Sequence, residues 1–221
     1  MNPRFQSARI WAPALALLLV APLLGAQATF AGGATITFRK VFRSSYPEYV
    51  EIKVPENGAC TADIRQLSDD PSPQPFQLSQ SVVQRIFDLA GELHDFNGVS
   101  LEIHRRIANL GEKTFIYQNG EQVFQTSFNY STNPAAAQLL DLFENLTREE
   151  IDLSDLRRTM RYDHLGVYDV VQRIEKDYDD KSLPDPSELL PTLDQLASDT
   201  TYLDIARDRA RSLAGRIRSG R

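Results

Sequence analysis

The chain has 221 residues, 42% of them hydrophobic, with 24 Lys and Arg against 30 Asp and Glu, so it is neither a low-complexity chain nor a disulfide scaffold. A formal charge of -6 speaks against general nucleic-acid binding, which needs a surplus of clustered cations to neutralise phosphates. Nothing in these totals identifies a reaction.

Residues 1–28 read as a secretory signal peptide. Arg4 and Arg9 stand without acids, Ile10 to Leu24 form an apolar run, and Gly25-Ala26-Gln27-Ala28 supplies a small-residue cleavage site. The run is shorter than the roughly 20 residues that span a bilayer and contains Pro13 and Pro22. Cleavage leaves 22 basic and 30 acidic residues, a charge of -8 from Thr29 onward. Export to the periplasm or the extracellular space is expected, with no transmembrane span in the mature chain. Cys60 is the only cysteine, so no intramolecular disulfide can form.

The next segments alternate. Ile36, Phe38 and Phe42, then Val50, Ile52 and Val54, then Cys60, Ala62 and Ile64 have the spacing of strands with one buried face. A two-residue Asn57-Gly58 turn would oppose apolar to polar positions. A three-residue Glu56-Asn57-Gly58 loop instead opposes Val54 to Cys60, Ile52 to Ala62 and Val50 to Ile64, which turns Cys60 inward as a small apolar residue. The proline-rich stretch Asp69 to Pro75 reads as a crossing loop, since proline removes ladder donors. From Ser79 a helix follows, with Val82, Ile86, Leu89 and Leu93 as its stripe, flanked by Val83, Phe87 and Ala90.

Lys113 to Tyr130 reads as a hairpin around Asn119-Gly120, opposing Phe115 to Phe124 and Tyr117 to Gln122. Asn133 and Pro134 open a helix with Leu139, Leu140, Phe143 and Leu146 on its buried side. The fold class is therefore α+β: an antiparallel sheet of about five strands in the order βββ-α-ββ-α, covered by helices on one face. Beyond it the spacing is helical. Thr147-Arg148-Glu149-Glu150 has the pattern of a capping box for a new helix start. Leu153, Leu156 and Met160 follow, then Val167, Val170, Val171 and Ile174, and, after Pro184 and Pro186, a last segment from Leu189 to Ile217. The expected division is a signal peptide at 1–28, a sheet domain at 29–149 and a helical extension at 150–221.

Chemistry-bearing residues are scattered. His94, His104 and His164 show no zinc-pair spacing, and no metal or cofactor motif is present. Asp163 and His164, within Arg161-Tyr162-Asp163-His164, are the candidate catalytic pair, against the alternative that Asp163 caps a turn. The acids Glu175, Asp177, Asp179 and Asp180 lack the spacing and glycine of a calcium loop and read as a solvated helix end. Asp69 and Asp70 suit turn initiation. From Asp204 onward six arginines meet two acids, a local charge of +4. Pairing of Asp204 with Arg207 and of Asp208 with Arg211, together with the helix dipole, is the structural explanation. The functional one makes Arg207, Arg211 and Arg218 a docking surface for an acidic partner, a second copy or, peripherally, an anionic membrane.

Three stretches resemble a group of exported bacterial proteins with no assigned function. They are Ile64 to Leu67 with Asp69-Asp70-Pro71 and Gln74-Pro75-Phe76; Arg105 to Lys113; and Met160 to Asp163 with Leu165-Gly166-Val167. The resemblance implies a bacterial periplasmic or secreted setting and no activity. The expectation is an exported non-enzymatic binding or assembly protein, with the C-terminal helices as docking surface. The alternative is an exported hydrolase whose residues meet only in space.

Overall fold

The computed structural model describes residues 33–43, 45–103 and 105–220, so the expected signal peptide and His104 lie outside the described residues. Among the described residues six strands form one sheet: β1 (Thr35–Val41), β2 (Tyr49–Pro55), β3 (Ala59–Arg65), β4 (Gln74–Gln77), β5 (Glu112–Asn119) and β6 (Gln122–Phe128). Their spatial order is β4-β3-β2-β1-β5-β6, with every neighbouring pair antiparallel. Five helices accompany them: α1 (Gln80–Glu92), α2 (Pro134–Tyr162), α3 (Val167–Asp179), α4 (Leu190–Ser198) and α5 (Asp204–Ser219). The protein is an α+β fold. The sixth strand comes from the proline-rich stretch expected to be only a crossing loop. Its end pairs with β3, Phe76 opposite Cys60, and proline is tolerated there because the strand is at the sheet edge.

The β2–β3 register is the expected one, Val50 opposite Ile64 and Ile52 opposite Ala62, with Gly58 at φ 76° in the loop. The β5–β6 hairpin differs. Asn119 pairs with Gln122 and Tyr117 with Phe124, so the turn residues are Gly120 and Glu121 rather than Asn119 and Gly120. Gly120 takes the positive φ, 58°, which suits a turn with glycine at its first central position. Because the displacement is two residues, each side chain keeps its face.

The inner face carries Ile36, Phe38, Ile52, Val54, Cys60 and Phe115, all buried against Ile86 and Leu89 of α1 and Ala136, Leu139 and Phe143 of α2. The Phe38 and Phe143 rings stack with centroids 5.0 Å apart. On the opposite face Arg39 lies across from Glu51 and pairs with it at 2.7 Å, and Asp63 pairs with Arg65 at 3.0 Å. This division of apolar and charged residues is that of a sheet covered on one side. After α1 the backbone turns left-handed over His94, Asp95 and Phe96, with φ of 54, 52 and 66°. Burial of Phe96, stacked on Phe115 at 5.4 Å, offsets the cost of that conformation.

The helix opened by Asn133 does not end near Thr147. Asn133 caps it as expected, accepting from the amides of Ala135 and Ala136, but α2 then continues for 29 residues. The capping-box reading is corrected: the Thr147 hydroxyl donates to the Phe143 carbonyl one turn back, at 2.8 Å, and caps nothing. Leu146 and Leu153 are seven residues apart, nearly two full turns, so the buried stripe stays in phase without a break. The N-terminal half of α2 completes the sheet core. Its C-terminal half, with Leu153, Leu156 and Met160, founds a second core with Val171 and Ile174 of α3, Leu193 and Leu196 of α4, and Ala210 and Leu213 of α5. The last helical segment is two helices, parted at Asp199–Leu203, where the Asp199 carboxylate accepts from the Thr201 amide. No helix among the described residues is long and apolar enough to cross a membrane.

Candidate functional site

Where α2 leaves the sheet, its Glu149 meets the segment joining α3 to α4. The Asp185 amide donates to Glu149 Oε2 at 3.0 Å. Asp185 in turn accepts from the Ser79 amide through Oδ2 and from the Ser187 hydroxyl through Oδ1, both at 2.5 Å, and Glu188 accepts from the Gln77 amide at 3.0 Å. Carboxylates thus fasten the helical part to the turn between β4 and α1. Glu149 and Asp185 are buried, and Glu149 Oε1 has no hydrogen-bond partner among the described residues. Burial, and then the neighbouring carboxylates of Asp185, Glu150 and Glu188, push the Glu149 carboxyl up to about 8 against the opposing hydrogen bond from Asp185.

Beside this seam a cleft of about 430 Å³ opens between α2 and the β2–β4 side of the sheet. Its apolar wall includes Pro47, Ile64, Pro75 and Ile151, with Tyr46 exposed at its margin. Two of its charged residues are already committed. Arg65 binds Asp63 at 3.0 Å and the Asp69 carbonyl at 2.9 Å and lies over the Tyr49 ring, and Asp155 is taken by Arg158 and Arg173, each at 3.0 Å. Glu150 and Arg157 also line the cleft, and among the described residues neither makes a hydrogen bond or an ion pair within 4 Å. Burial and the charge of Glu188 raise Glu150 to about 7, with Arg157 pulling the other way. A second hollow, of about 520 Å³, is lined by Val41, Glu102 and Asn129. Glu102 there accepts from the Asn129 amide, and Asn129 Oδ1 from the Leu110 amide at 2.7 Å, while Arg43 and Glu112, which also line it, make no side-chain hydrogen bond or ion pair among the described residues. Nearby Lys113 is buried with its ammonium on the carbonyls of Leu110, Gly111 and Asn129.

The structure places the sequence candidates elsewhere. Asp163 Oδ1 accepts from the Gly166 amide at 3.1 Å, closing the turn into α3. His164 is exposed, its ring 4.8 Å from that of Tyr202, and it lines neither cleft. Arg207 pairs with Asp204 at 2.6 Å, Arg211 with Asp208 at 2.5 Å, and Arg218 with Asp194. The acidic end of α3 faces α5: Glu175 pairs with Arg209 at 2.8 Å and Arg216 at 3.2 Å, and Asp179 also pairs with Arg216. Among the described residues no group of three or more His, Cys, Asp or Glu is disposed to hold a metal ion. Cys60 is buried, its thiol donating to the Gly58 carbonyl at 3.3 Å and pushed up to about 12 by burial, which leaves it a core residue rather than a nucleophile.

Sequence reasoning missed both the cleft and an apolar tip. The Tyr202 hydroxyl donates to the Met160 carbonyl at 2.8 Å, which joins the α2–α3 corner to the α4–α5 corner. Around that junction Tyr162, Leu165, Leu203 and Ile205 are exposed by 76, 74, 48 and 58%. Leu165 and Ile205 fall outside the buried stripes of their segments, and that lapse of phase is the signal the sequence carried. No protein-family model and no curated protein matches this chain.

Proposed function

We propose that this is an exported, non-enzymatic binding or assembly protein whose C-terminal helices dock on a protein partner or on a second copy. The observation that carries the reading is the exposure of four large apolar side chains, Tyr162, Leu165, Leu203 and Ile205, on the two corners joined through the Tyr202 hydroxyl. Exposed large apolar side chains gathered at one end of a molecule mark sites of association. Arg207, two residues after Ile205 in the chain, is largely covered and has its charge balanced by Asp204. A hydrolase built on Asp163 and His164 is the less favoured reading, because the aspartate is engaged in a turn and the histidine rests on Tyr202.

The test compares the full chain with a Leu165→Glu, Ile205→Glu variant in light-scattering chromatography and in affinity capture from the native exported fraction. Loss of self-association or of a specific partner, with the melting temperature held within a few degrees, is the expected outcome. Association undiminished in the variant would overturn the reading.

A further inference from the structure

Glu150 and Arg157 are seven residues apart on α2, so they share one helix face about 10 Å apart along the axis. Both open into the cleft, and neither has a close partner of its own, whereas Arg65 and Asp155 in the same cleft are held by neighbours. Glu150 is half-buried, and a carboxyl there without a donor is an unmet demand for a cation or an N–H group, while the exposed guanidinium of Arg157, held by no ion pair, is free to take a carboxylate. Between them Ile151 and the opposite wall of Ile64 and Pro75 offer apolar surface. A volume of about 430 Å³ falls in the range of small-ligand sites, typically about 300–1,000 Å³.

We propose that this cleft binds a short peptide of about three residues with both termini free, its ammonium at Glu150 and its carboxylate at Arg157. The length follows from the spacing, since an extended chain advances about 3.3–3.6 Å per residue. Charge complementarity fixes the class: an anion alone would leave Glu150 unmet, and an amine alone would leave Arg157 unmet. Burial already holds Glu150 poised near neutrality, so an arriving ammonium favours its ionised form. This site is separate from the apolar tip, and either assignment can fail without the other.

Calorimetric titration of the full chain with Ala-Leu-Ala, its N-acetyl form and its C-amide form tests the proposal, alongside Glu150→Gln and Arg157→Gln variants whose folding is checked by circular dichroism. Saturable binding of the free tripeptide is expected, weakened at least about tenfold by acetylation and similarly by amidation. Glu150→Gln should lose the sensitivity to acetylation and keep that to amidation, and Arg157→Gln the reverse. No saturable binding up to millimolar tripeptide, or equal affinity for the three forms, would overturn it. So would variants that weaken all three forms alike.

Discussion

At Glu149 a carboxyl has been placed where water does not reach, with one oxygen on the Asp185 amide and the other unpartnered. Its pKa in the folded chain, raised to about 8 from the ordinary 4.5, means that the folded state holds a proton which the unfolded state releases across that interval. The stability this confers is full below about 4.5 and is lost as pH rises through 8. Glu150 and Asp152, raised to about 7 and about 6 chiefly by burial, act in the same direction. Urea denaturation should therefore show the protein more stable at pH 5 than at pH 8, by on the order of a few kcal/mol. Glu149→Gln should flatten that dependence and leave the variant the more stable of the two at pH 8. A wild-type stability that rises over the same interval would contradict the placement of this carboxyl.

At the level of elements, α2 is the shaft on which both cores are built, and the 146–153 stretch is where it serves neither fully. Arg148 is exposed there, in mid-helix. Arg148→Pro removes one helical hydrogen bond and clashes with the preceding turn, at a cost of about 3 kcal/mol or more, while Arg148→Ala should be nearly neutral. Calorimetry of the proline variant should resolve two transitions where the wild type gives one. The strands and the β2–β3 register were legible because alternation and a glycine at the loop left one pairing that kept apolar residues together. The β5–β6 pairing was legible in face but not in turn, since a two-residue displacement leaves the pattern of alternation unchanged. The capping box misled because Thr147 and Glu150 satisfy a local pattern that is also compatible with helix interior. Only the packing of Leu146 on one core and Leu153 on the other decides between them. The cleft was illegible for a related reason: Glu150 and Arg157 read as ordinary exposed helix residues until Ile64 and Pro75, distant in the chain, are set opposite them.

Across the whole molecule the opposition in sign between the arginine-rich end and the acidic remainder is largely met inside the chain. Glu175, Asp179, Asp194, Asp204 and Asp208 all take arginines of α5. Exposed pairs of this kind stabilise by only about 0–1 kcal/mol each, so the value of those made by Glu175, Asp179 and Asp194 is in orienting α5 over α3 and α4, while Asp204 and Asp208 pair within α5 itself. The exposed apolar side chains at the corners and the oppositely charged pair in the cleft ask for different partners. The seam has a property of another kind. Its fastenings at Gln77, Ser79 and Asp185 all use main-chain amides as donors and side-chain carboxylates as acceptors. Those three amides consequently act as internal reporters of whether the helical half is seated. In hydrogen–deuterium exchange they should protect together when it is docked and exchange together when it lifts, at a free energy below that of the sheet amides around them.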